Sequence, residues 1–397
     1  MSAVQPAAER MPWSLVLAGA AAVIVGLGFA RFGFAPLIPG MVDAGWFGAD
    51  QTAHLGAANL TGYLFGAVTA SALANRFGIG STIRLSLLIV SLGFLLCSLP
   101  GPFLWFFVWR FLAGWAGAVL MVVAPSTALA LTPVRHRPMA AAWIFGGIGV
   151  GILAAALLMP PVLRLGTGWG WALLGFSSLL LTAWSWQRWS TSRIRSAATA
   201  AGAANAAATP FVVWLVIAAY SVSAAGFVPH TLFWVDFVAR ERNYGLDLGS
   251  LQWALFAAGA IIGPFVAGFL AKRSGWFLAL LLVAFCKAVI VALSAAPLGL
   301  LLISLCSLLA GALAPAMVSL TSGYVTSLVD TAVHRRAWGW ATAAFAVSQA
   351  IAAQGMALVY AVVGSYVPLF LLGGVSLLCG ALLVLSTRVV AGGDSGN

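Results

Sequence analysis

Five ionisable side chains sit inside or at the edge of long apolar stretches, and any chemistry the chain performs would centre on them: Arg31, Arg110, His230, Asp236 and Lys287. A charge in a bilayer costs several kcal/mol unless it faces a polar cavity or finds a partner. Three permanent cations and one histidine against one peripheral acid would make a shared cavity attractive to anions. Imidazole changes charge near physiological pH, so His230 is the candidate proton acceptor or anion contact. Asp236 is the best carboxylate for proton coupling if it reaches the same space. Neutral polar pairs add bonding capacity, with Asn59 and Tyr63 at i, i+4 and Gln349 near Gln354,.

Each of these residues also has a structural reading. Arg31 can snorkel to the headgroups, and Arg110 can bond carbonyls at Gly-rich helix contacts. His230 can be a satisfied buried histidine, with Trp234 on the same helical face as an aromatic wall. Asp236 lies six residues from His230, on another side of the helix, and has Arg240 at i+4 as an ion-pair partner,. Asn and Gln also glue membrane helices together.

Other chemistries are excluded or unsupported. The chain has two lysines, Lys272 and Lys287, and neither stands in Gly-Lys-Ser/Thr, which excludes a phosphate loop of the Walker type,. HExxH, CxxC and GxSxG motifs do not occur. Cys97, Cys286, Cys306 and Cys379 lie singly in apolar runs. No catalytic residue, metal or cofactor is expected.

The elements that position these groups follow from composition. The chain is 62% hydrophobic and 7% charged, whereas a soluble domain carries roughly 25% charged residues. It reads as an all-α membrane protein, because a helix needs about 20 apolar residues to cross the hydrocarbon core. Apolar runs fall near 12–41, 52–74, 82–99, 103–131, 139–163 and 168–188, then near 210–237, 249–271, 276–296, 298–328, 337–363 and 366–387. This predicts twelve transmembrane helices in two bundles of six, 1–189 and 210–397, joined by an alanine-rich cytoplasmic linker over 190–209. Met11 to Ala30 is too long for a secretory signal and reads as a retained span. Pro36, Pro39 and Pro229 are placed to break the first and seventh helices.

Basic residues cluster between the runs. With both termini in the cytoplasm, thirteen fall inside, from Arg10 to Arg388, and only Arg164, Arg240 and Arg242 outside,. The net charge of +11 therefore sets membrane orientation, and no nucleic-acid partner is expected,.

An internal repeat supports the division. Ser71-Ala72-Leu73-Ala74-Asn75-Arg76-Phe77-Gly78 returns at an offset of 197 as Gly268-Phe269-Leu270-Ala271-Lys272-Arg273-Ser274-Gly275. Val134-Arg135-His136-Arg137 returns as Val333-His334-Arg335-Arg336. Shifting by 198 or 199 brings Arg31 opposite or beside His230, so the two are expected to face each other across a midplane site.

The LANRFG and LAKRSG loops resemble the cytoplasmic loop signature of the major facilitator superfamily, with Asn75 and Lys272 where an acid stands in that pattern. Arg76, Gly78, Arg273 and Gly275 match it. Arg110-Phe111-Leu112-Ala113-Gly114-Trp115-Ala116-Gly117 resembles the family's R-x-x-x-G-x-G element. More narrowly, RFGFAPLIPGM, GAANLTGYLFGA and GFVPHTLFWVDFVAR resemble the YbfB-like branch. The resemblance implies the superfamily fold and solute transport by alternating access, with those loop residues governing conformation. It also implies that Lys287, on a ninth helix, lies at the periphery, where it would snorkel or find a local structural partner.

The fifth span has Gly147-Ile148-Gly149-Val150-Gly151-Ile152, lacking the proline of the exporter pattern G-x-x-x-G-P. The expected function is a proton-coupled symporter, a secondary active transporter for a small organic anion, as a monomer in a bacterial inner membrane. Arg31, Arg110, His230, Asn59, Tyr63, Trp234 and Gln349 are the expected solute contacts, and His230 and Asp236 the separate candidates for proton coupling. The alternatives are a proton-driven exporter of hydrophobic compounds and a non-transporting receptor or scaffold.

Overall fold

The computed structural model describes residues 10–34, 36–190 and 209–393, and all regular structure among them is helical. In hydrocarbon every backbone polar group must be satisfied within its own segment, which leaves the helix as the form for these apolar runs. The spans are α1 (Trp13–Phe32), α2 (Ala49–Phe77), α3 (Ile79–Leu96), α4 (Phe103–Ala130), α5 (Arg137–Leu163) and α6 (Thr167–Ser185). The second half has α7 (Phe211–Phe233), α8 and α9 within Gly245–Leu293, α10 (Leu300–Leu328), α11 (Thr331–Val363) and α12 (Val367–Gly393).

Among the described residues nine helical stretches are long and apolar enough to cross a membrane. Gly275 divides one of them into α8 and α9, and the more polar α2 and the Gly- and Trp-rich α6 complete the twelve. Gly78 and Gly275 have φ of +84° and +80°. Side chains rarely tolerate that backbone, so the two copies of the loop motif turn the chain sharply at equivalent places. The linker expected over 190–209 falls almost wholly outside the described residues.

Small residues set how closely the helices approach. A Cβ at Gly62, Gly66 or Gly114 would overlap backbone of Phe111, Trp115 and Asn59, locking α2 to α4. Gly259, Gly263 and Gly311 meet Leu308, Ala312 and Phe256 in the same way, locking α8 to α10. Every member of the second set lies 197 residues after its counterpart, which extends the repeat from a loop motif to the contacts inside the bundles.

The halves meet along α2 with α11 and α5 with α8. Gly149 packs against the backbone of Ala260 and Ile261, and Trp143 stands edge-on to Phe265 at 5.0 Å.

Candidate functional site: a cavity between the halves

Both first helices depart from α-helical geometry where the sequence placed their charged or polar residues. α1 widens to a π-helix over Ile24–Phe32, carrying Arg31, and α7 does so over Pro229–Phe233, carrying His230. Such stretches rotate side chains out of the regular register and recur at functional sites. Arg31 turns inward, away from a snorkelling position. Its Nη2 donates to Gln349 Oε1 on α11 at 2.5 Å, and its Cζ stands 5.2 Å from the Tyr63 ring centre.

Arg31, Tyr63 and Gln349 form part of the wall of a cavity between the halves. The empty space among its lining atoms, open solvent at the mouth included, is about 830 Å³. Its other polar groups are Tyr220, Thr231, Lys287 and Thr342. Phe227, Trp253, Phe256 and Phe345 supply aromatic surface, with Trp253 and Phe256 stacked at 4.7 Å. No carboxylate is found among the described residues of this wall.

Lys287 corrects the sequence expectation, because it points inward and not to the periphery. It is 2% exposed, donates from Nζ to Ser223 Oγ at 3.1 Å and stands 4.1 Å from the Phe227 ring centre. Sequence reasoning also missed Tyr220, Trp253, Phe256 and Phe345. One signal was present: Phe256 stands 197 residues after Asn59, itself a candidate.

Four expected solute contacts lie away from the wall. Asn59 donates from Nδ2 to the Arg110 carbonyl at 3.1 Å, tying α2 to α4. Arg110 is buried within the first half, where Nη1 donates to the Ala30 carbonyl at 2.8 Å and the guanidinium lies 3.9 Å over Phe34. His230 is fully enclosed between Phe227 and Trp234, at 5.5 and 4.6 Å, with Nε2 3.3 Å from Ser294 Oγ. It therefore does not face Arg31 across the cavity. Trp234 Nε1 donates to Ser307 Oγ at 2.9 Å. Asp236 follows in a short helical turn, and its side chain lies outside the described residues.

The position of Arg110 predicts a stability effect rather than a recognition effect. Arg110→Ala removes a charge-assisted hydrogen bond and a buried cation–π contact, together worth about 2–3 kcal/mol. Thermal unfolding should shift downward while solute affinity in the folded fraction changes less than about twofold.

Residues 23–385 match the family model described as the uncharacterised MFS-type transporter YbfB. The chain belongs to this family. Over 235 residues it is 25% identical to a Haemophilus influenzae (strain ATCC 51907 / DSM 11121 / KW20 / Rd) protein named for metabolite transport. That match spans 54% of the chain and 57% of the relative, so it covers little more than half the relative's length. Solved structures share the fold at low identity. The proton:xylose symporter XylE, bound to 6-bromo-6-deoxy-D-glucose, superposes with a TM-score of 0.77 at 14% identity, covering 95% of each chain. The E. coli fucose:proton symporter FucP gives 0.71 at 14%, covering 94% of this chain and 98% of that one. An outward-facing bacterial homologue of the iron transporter ferroportin gives 0.74 at 12%, covering 96% and 99%. The protein is thus a multi-pass membrane protein of the major facilitator superfamily, with twelve helices in two six-helix bundles.

In this family member the first loop motif bridges the halves. Arg335 Nη2 on α11 donates to Asn75 Oδ1 at 2.5 Å, and Ser71 Oγ donates to the Arg335 carbonyl at 3.3 Å. Arg76, Lys272 and Arg273 are exposed. Trp338 Nε1, one turn further along α11, donates to the Met121 carbonyl at 3.3 Å. Asn75 accepts as a neutral amide where an acid would form an ion pair. A hydrogen bond to a charged acceptor is stronger by about 1 kcal/mol, so Asn75→Asp is expected to slow separation of this end about fivefold. Asn75→Ala should speed it, and distances between spin labels placed across this end check both.

Proposed function

We propose that this protein is a proton-coupled symporter that takes up a small organic anion with an apolar or aromatic portion by alternating access. One observation carries the reading: the cavity wall presents two cations, Arg31 and Lys287, beside aromatic surface and no described carboxylate. Arg31 binds the anionic group as a planar fork, Tyr63 and Gln349 supply neutral hydrogen bonds, and Trp253 and Phe256 receive the apolar part. The two halves, 1–189 and 210–397, rock about this site. Both termini lie in the cytoplasm, a reading that the distribution of basic residues supports, and the protein works as a monomer in a bacterial inner membrane.

Purified protein in liposomes tests the proposal with a panel of anionic, neutral and cationic solutes, with and without an imposed proton gradient. Hippurate, an aromatic carboxylate that crosses lipid slowly, is the reference anion. Anion accumulation driven by an inward proton gradient supports the reading. Transport confined to hydrophobic cations, or no flux of any solute, overturns it.

A further inference from the structure

A proton-coupled carrier needs a group that gains and loses a proton within reach of the solute, and the described cavity wall offers no carboxylate for this. Its ionisable groups are Arg31, Tyr63, Tyr220 and Lys287. A guanidinium remains charged in proteins, and a phenol is neutral at working pH. An amine can exist in either form, which is why lysines serve as bases in buried sites. We infer that Lys287 carries the coupling proton, holding the solute anion as an ammonium and releasing it as an amine. This rests on the reading of the cavity as an anion-transport site.

The surroundings of Lys287 fit both forms. From α7 it is met by the Ser223 hydroxyl and the Phe227 ring, and Tyr220 is on the same helix. His230 lies behind Phe227, stacked on the opposite partner Trp234 as well. Cys286 neighbours it on α9 and is exposed, while Cys306 on α10 is buried. Arg31 and Tyr63 belong to the facing half of the cavity. Arg242, after α7, caps the carbonyls of Ala295 and Ala296 near the far end of α9, and Arg388 on α12 lies over Phe277 near the start of α9. No described acid partners Lys287. Ser223 donates to an amine as readily as it accepts from an ammonium. The solute anion is therefore the counter-charge that holds the proton in place.

The step balances simply. A proton from the entry side adds to the Lys287 amine as the anion binds, with no other bond made or broken. On the release side the anion leaves and the ammonium passes its proton to water, so one proton moves with each solute anion.

The chain's two lysines make the proton visible. Biosynthetic labelling with lysine carrying 13C at Cε gives two signals, and the Lys272→Arg variant assigns the one from Lys287. In lipid nanodiscs the Lys287 signal is expected to move between about pH 6 and 9, the range in which a lysine buried as a base titrates, and hippurate added at about pH 8 should return it toward the ammonium position. In liposomes, hippurate exchange should change about tenfold between pH 6 and 8 in the natural protein and less than about twofold in Lys287→Arg, whatever its absolute rate. His230→Gln should keep the natural pH ratio.

A Lys287 signal fixed at the ammonium position to above about pH 10, or a pH profile flattened by His230→Gln and not by Lys287→Arg, overturns the assignment while anion flux still stands. Absence of flux for every anion in the natural protein overturns the transport reading instead.

Discussion

Arg31→Gln is expected to reduce anion uptake by about 30- to 5000-fold, the range for removing one member of a desolvated, hydrogen-bonded charge pair. Glutamine retains a donor, so what is lost is the full charge and the two-pronged guanidinium geometry. The change also leaves Gln349 Oε1 without its 2.5 Å donor. Gln349→Ala removes the same bond from the other side and keeps the cation. Its effect should be much smaller, within about tenfold. Uptake rates in liposomes at matched protein content separate the two. Equal losses would make the Arg31–Gln349 bond itself the important feature, and a tolerant Arg31→Gln would remove the guanidinium from the site.

Gly114→Val and Gly311→Val should each prevent or badly weaken folding. Both glycines face a backbone carbonyl, of Asn59 and of Phe256, and a backbone atom cannot swing aside as a flexible side chain would. The helices must separate, which opens the crossing along its length and costs about 3 kcal/mol or more. For a bundle of this size that lowers the melting temperature by about 6–12 °C. Gly355→Ala is the control, since open space surrounds that position. Thermal stability in detergent, followed by loss of monodisperse protein, checks all three. A normal melting temperature for either valine variant would contradict the close approach of α2 to α4 or of α8 to α10.

The number and order of the helices were legible because apolar run length is itself the physical requirement for crossing a bilayer. Even the break at Gly275, where the backbone leaves helical geometry between two abutting helices, is visible in sequence as a copy of Gly78. Arg31 was legible as a lone charge in an apolar run. Lys287 and Arg110 show where such reading stops. Each sits on a helix that is apolar on every side, so sequence periodicity gives no inward face. The direction of each side chain is decided by partners distant in the chain, Ser223 for one and the Ala30 carbonyl for the other. His230 was found as a buried base and Pro229 marked a break in its helix, but the π-helical register that sets its neighbours was not legible.

The six glycines with a constant offset have a consequence for how the duplicated halves have diverged. What both copies retain is permission for two backbones to touch, and the residues beside those points have been free to change: Asn59 stands opposite Phe256, and Arg110 opposite Ser307. Scaffold and chemistry are thus inherited separately within one chain. The frame is symmetric, whereas the lining it holds is not, and a solute entering it meets two different faces.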